Sequence, residues 1–233
     1  MKKTIFLLAL AAASFSASAQ KNKAAQAATT QVAPAGYNDM LGPTIKELMS
    51  TGDPAELKSL AGKMERAATV APADWLPRYY QAYALVINVF QSKEDGDVKD
   101  KTLDQAEAAL AQARKLGGEE SELLVLQAYI YQARLGISPV LRSMKYSSMV
   151  EETVAQAKKL NPANPRVYLV EANNAYYTPK MFGGGAEVAK PLYENAKARF
   201  AAFKPSSNLA PNWGERQVLG RLKSYETASA GTN

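Results

Sequence analysis

Ala111-Gln112-Ala113-Arg114-Lys115-Leu116-Gly117-Gly118 and Ala155-Gln156-Ala157-Lys158-Lys159-Leu160-Asn161-Pro162 are the two stretches that decide the fold. They are near copies 44 residues apart, each an Ala-rich helical end closed by residues that break a helix. A looser copy occupies residues 65–72 and ends in Pro72, 46 residues before the first. Ten positions after the breakers Pro72, Gly118 and Pro162 stand Ala82, Ala128 and Ala172. Two of these alanines share a tripeptide, Gln81-Ala82-Tyr83 and Gln127-Ala128-Tyr129. The unit is therefore a helical hairpin used several times. A small residue at a fixed place lets two helices approach closely, and stacked hairpins bury a continuous core.

Outward from these copies the punctuation is consistent. From about Tyr37 onward the apolar spacing is helical, with little strand alternation. Asp53-Pro54 and Asn164-Pro165 open helices, each pairing an N-cap side chain with a first-turn proline. Met40, Leu41, Ile45, Leu48 and Met49 predict a capping helix at the front. A last amphipathic helix is expected over residues 212–226, started by Trp213, with Val218, Leu219, Leu222 and Tyr225 on one face. The expected organisation is a signal peptide over 1–19, a flexible leader over 20–36, a helical repeat domain over 37–226 and a flexible tail over 227–233.

The leading segment reads as an address. Lys2 and Lys3 precede a short apolar run, and Ala17-Ser18-Ala19 supplies small residues for cleavage after Ala19. The run is too short to span a bilayer, which takes roughly 20 apolar residues. A periplasmic or secreted product without stable membrane insertion is the expectation. No cysteine follows the cut to carry a lipid anchor.

The hairpin register resembles tetratricopeptide (TPR) repeats. The second-helix signature of that family is matched by Leu60, Met64, Ala67 and Pro72; by Ala106, Leu110, Ala113 and Gly118; and by Val150, Val154, Ala157 and Pro162. Ala189, Tyr193 and Ala196 keep the spacing without the closing proline. The resemblance covers about residues 54–203 and implies an all-α, TPR-like superhelix (an α-solenoid) of three to four long helical hairpins with terminal capping helices. The C-terminal third, with residues 176–185 and Phe203-Lys204-Pro205…Pro211-Asn212-Trp213-Gly214, is similar to exported TPR-type proteins of the Bacteroidetes. That likeness implies a periplasmic helical-repeat protein and supplies no catalytic residues. These repeats are longer than the family's roughly 34 residues. The excess lies between the two helices of each hairpin, so lengthened helices or loops must project from one edge, where the individual function is expected.

Composition excludes much chemistry. Among 233 residues there is no histidine and no cysteine, which removes the commonest general base, the thiol nucleophile and the ligands of ordinary zinc and Fe–S sites. No Ser-His-Asp triad is possible, and no G-x-S-x-G elbow occurs. The expectation is a protein that is not an enzyme and carries no cofactor. The 28 Lys and Arg alternate with 22 Asp and Glu, a solvated-face pattern that argues against nucleic acid. Gly183-Gly184-Gly185 lacks the Lys-Ser/Thr ending of a phosphate loop and predicts a tight crossing with Phe182 tucked beneath the hairpin. Glu94-Asp95-Gly96-Asp97 predicts a turn and an N-cap acid rather than a metal loop.

In TPR arrays the first helix of each hairpin lines a concave surface. Phased on the small residues, the inward positions are Leu76, Tyr79, Tyr83, Val86 and Ile87 in the first unit. Glu122, Val125, Tyr129, Gln132 and Ala133 follow in the second, then Arg166, Leu169, Asn173, Tyr176 and Tyr177 in the third. Tyrosine brings broad contact area and a hydroxyl at low entropic cost. The expected partner is therefore a protein or peptide of the cell envelope, bound through Tyr79, Tyr83, Tyr129, Gln132, Arg166, Leu169, Asn173, Tyr176 and Tyr177 by a non-enzymatic scaffold. The alternative is a small-molecule or solute-binding accessory protein of envelope transport. A third possibility is that these tyrosines are core, covered by another part of the chain.

Overall fold

The computed structural model describes the backbone of residues 34–230 and the side chains of 34–227. The expected signal peptide and most of the leader lie outside the described residues. The chain folds as α1 (Tyr37–Ser50), α2 (Pro54–Val70), α3 (Leu76–Gln91), α4 (Gly96–Lys115), α5 (Glu120–Ile137), α6 (Pro139–Leu160), α7 (Pro165–Tyr177), a 3-10 turn (Lys180–Phe182), α8 (Ala186–Ala202) and α9 (Glu215–Ala230), with no strand among the described residues. The boundaries follow the local chemistry. Asp53 accepts from the backbone N–H of Ala55 and Glu56 at 2.9 Å, Asp95 from Val98 at 2.9 Å, and Asn164 from Arg166 at 3.1 Å. Each satisfies amides that the helix itself leaves unpaired. Gly117, with φ 81°, closes α4 by donating to Arg114, and the Gly118 amide donates to Ala113.

The helices form two layers of antiparallel hairpins. Helices α1, α3, α5 and α7 meet one another along the inner layer, and α2, α4, α6 and α8 cover them outside. The residues of the repeat register are the core. Leu60, Met64, Ala67, Ala106, Leu110, Ala113, Val150, Val154, Ala157, Ala189, Tyr193 and Ala196 are all buried, as are Ala82, Ala128 and Ala172. Glu122–Arg166 and Gln132–Val170 hydrogen bonds lay α7 parallel to α5, so their C-termini share one edge.

The extra length of the repeat is mostly helix. Only Ser138 separates α5 from α6, and residues 92–95 separate α3 from α4. A real loop, residues 178–185, occurs between α7 and α8. Three local expectations are corrected. Leu219 is 43% exposed, because α9 packs through Val218, Leu222 and Tyr225 and position 219 rotates off that face. Met40 is likewise outward. Phe182 is 72% exposed rather than tucked in. The space beneath the hairpin is taken by backbone: a Cβ on Gly184 would stand 2.3 Å from the Thr178 carbonyl oxygen and 2.7 Å from that of Ala175. Gly185, at φ 107°, donates its N–H to the same Ala175 oxygen.

Candidate functional site

The inner-face phasing puts the expected residues on one surface, and the chain covers that surface itself. After α8, residues 203–214 run back across the inner layer. Phe203 lies 4.7 Å from the Arg166 guanidinium, and Tyr80 donates to the Leu209 carbonyl at 2.9 Å. Trp213 then enters between α3 and α5. Its indole stacks on Tyr129 at 5.4 Å and 6°, lies 4.9 Å from Tyr83, and donates to the Tyr79 hydroxyl at 2.7 Å. Gly214 fits against Leu169 and Phe200, where a Cβ would come within 2.8 Å of both. Helix α9 completes the cover, with Tyr129 donating to Gln217 at 2.8 Å and Arg221 stacked 4.0 Å over Tyr176.

Tyr79, Tyr83, Tyr129, Arg166 and Leu169 are therefore core residues, which corrects the expectation of an accessible groove. The physical reason is apolar area: aromatic rings on an open inner layer are worth most when another apolar surface removes them from water. Gln132 is half-buried and donates to the Val170 carbonyl at 2.8 Å. Asn173 is half-buried and accepts from Tyr193 at 2.6 Å. Tyr176 is half-buried against Tyr193 and Tyr225. Tyr177 is exposed, and its hydroxyl accepts from Arg221 at 3.0 Å.

Beneath the indole runs a buried polar chain. Tyr79 donates to Glu122 at 3.1 Å, and Glu122 is clasped by Arg166 through Nε at 2.8 Å and through Nη2. Burial raises the Glu122 carboxyl above the ordinary range, and Arg166 pulls it back only in part. Burial also raises the Tyr79 and Tyr129 hydroxyls, so both stay protonated at neutral pH. Glu122, Arg166 and Tyr79 are all buried under Trp213, and the chain they form ties α3, α5 and α7 together. Among the described residues no cluster of metal-ligating side chains occurs.

The accessible candidate surface lies elsewhere, at the edge where α5 and α7 end. Val140, Leu141 and Met144 on the first turns of α6 are 89, 84 and 95% exposed. Met181 (83%) and Phe182 (72%) stand out from the loop after α7 at the same edge, beside Tyr177. Large apolar side chains left this exposed at one edge are candidates for an interaction surface. Lys145 and Lys180 adjoin these residues in sequence, Lys145 lying 5.0 Å from the Tyr146 ring and Lys180 pairing with Glu187 at 3.5 Å. The excess length between paired helices pointed to this edge. The individual residues carried no motif, and a Val-Leu pair in a helical run reads as ordinary core. Two clefts open elsewhere: one of about 230 Å³ between α1 and α2, and one of about 340 Å³ between α8 and α9 lined by Lys190, Glu194, Lys197, Leu222, Tyr225 and Glu226.

Fold and surface together define an all-helical hairpin-stack protein with a filled inner face and an apolar edge. Among solved structures, the HusA haemophore from Porphyromonas gingivalis is similar, with a TM-score of 0.72 and 34% identity over 81% of this chain and 93% of that one. The chain belongs to the family of that haemophore. No protein-family model matches the sequence, and a search of curated proteins finds no match.

Proposed function

We propose that the chain is a non-enzymatic carrier of haem, acting outside the cytoplasm and holding its ligand on the apolar edge formed by Val140, Leu141, Met144, Met181 and Phe182. The observation that carries the reading is that edge: Val140, Leu141, Met144, Met181 and Phe182 are each more than 70% exposed, further into water than any other large aliphatic, Met or Phe side chain among the described residues. Kinship with a haemophore supplies the ligand class. A flat macrocycle with two carboxylates suits exposed apolar side chains that have a lysine next in sequence, Lys145 after Met144 and Lys180 before Met181. With neither histidine nor cysteine in the sequence, any iron ligand from this edge would be a thioether of Met144 or Met181 or the Tyr177 hydroxyl, which already accepts from Arg221. Apolar contact then carries most of the affinity. A peptide on the concave face would first have to displace Trp213 and α9, whereas the edge needs no rearrangement, which favours a small ligand.

Titrating the purified chain with hemin and following the Soret band tests this. Leu141→Ala and Met144→Ala are each expected to weaken binding about tenfold, from loss of roughly 55 Å² of ligand contact at about 25 cal/mol per Å². Their melting temperatures should stay at the wild-type value because both side chains are exposed. A parallel titration with metal-free protoporphyrin separates ring contact from iron ligation. An unchanged Soret band in the wild type, or full affinity in both single variants and in a variant carrying Leu141→Ala and Met144→Ala together, overturns the proposal.

A further inference from the structure

The start of α6 runs back along α5 without burying a side chain completely. Along residues 139–149 no side chain is buried, and Val150 is the first core residue of the helix. That arm is about 16 Å long at 1.5 Å per residue. Ionic contacts add to that packing. Arg142 makes two hydrogen bonds to Asp100 of α4, Nη1 to Oδ1 at 2.8 Å and Nη2 to Oδ2 at 2.5 Å. Arg142 Nη1 also donates to the Arg134 carbonyl at the end of α5, at 3.2 Å. Arg134 in turn grips Asp100 at 3.1 Å, Asp104 at 2.6 Å and Glu107 at 2.9 Å, fixing the carboxylate that receives Arg142. Two apolar supports complete the seat. Tyr146 meets Tyr131 at 6.0 Å between ring centroids, and Ile137 lies over Gly96, where a Cβ would be 3.1 Å away.

The consequence concerns which side of the arm is free. Arg142 points inward to α4 while Val140, Leu141 and Met144 face water, so anchoring and display are divided between charged and apolar residues. A planar bidentate pair fixes orientation as well as distance. A ligand surface built on a helix end with no fully buried side chain gains from such support, which keeps its side chains preorganised. We infer that Asp100 and Arg142 are positioning residues that hold the α6 arm in its ligand-binding orientation, with Arg134 holding Asp100. The ligand half of this inference rests on the haem reading above; the positioning half does not.

Amide hydrogen exchange and hemin titration on Arg142→Ala, Asp100→Asn and the charge swap Asp100→Arg/Arg142→Asp decide it. The single variants are expected to speed exchange across residues 140–149 while α2, α3 and α7 keep wild-type protection. Hemin affinity should fall about two- to fivefold, and the swap should recover at least part of both. Unchanged exchange in both single variants overturns the positioning role whatever hemin does. Faster exchange with wild-type hemin affinity overturns the link to the ligand. If the wild type itself takes up no hemin, the haem reading fails, and exchange still decides whether the pair holds the arm. Equal loss of protection throughout the molecule would assign the pair to general stability and also overturn the inference.

Discussion

Trp213 takes its place from residues far away in the chain. Its hydrogen-bond partner Tyr79 is 134 positions earlier, and its stacking partner Tyr129 belongs to a different hairpin. Local pattern marks Trp213 as the start of a final helix and gives no sign that it seals the inner face. Gly184 is the opposite case, since a glycine triplet between helices already announces a close backbone approach. Trp213→Ala is expected to cost about 3–5 kcal/mol, the range for deleting a large buried aromatic side chain. Denaturant unfolding measures it, and a loss below about 1 kcal/mol would mean that the indole is dispensable to the seal.

Among the elements, α6 separates most clearly what the sequence predicts from what it leaves open. Its C-terminal half carries the repeat register and packs as expected through Val150, Val154 and Ala157. Its N-terminal half is extra length whose face is decided by ion pairs with α4. The Arg142 hydrogen bonds hold the Asp100 carboxyl below the ordinary carboxylate range; burial works against them, and the charges of Arg142 and Arg134 add to the lowering. Because the folded value lies below the unfolded value of about 3.9, the stabilisation is complete above that pH and is lost as pH falls through the folded value. The pair is partly exposed, so its worth is about 0.5–1 kcal/mol. Melting curves between pH 6 and pH 3 should show wild type and Asp100→Asn converging at the acid end, with wild type roughly 2 °C higher at pH 6. A constant gap over that range would contradict the assignment.

For the whole molecule, the filled inner face makes the C-terminal segment part of the fold rather than an appendage. Phe203, Leu209, Trp213, Gln217, Arg221 and Tyr225 together touch α1, α3, α5, α7 and the start of α8. Ending the chain at residue 203 is expected to uncover Tyr79, Tyr83, Tyr129 and Leu169. ANS fluorescence should then rise and the melting temperature drop by several degrees while most helix survives. Unchanged melting would show that the inner layer stands without its cover. The sequence by itself determined the hairpins, their register and the phase of the inner face, because helix periodicity, caps and small-residue spacing act over a few residues. It also identified the edge where the surplus length lies. Only the tertiary structure decided that the inner tyrosines are core and that Val140, Leu141, Met144, Met181 and Phe182 face water. An apolar side chain's exposure depends on which distant segment reaches it, and residues 203–230 return to one face and leave the other edge bare.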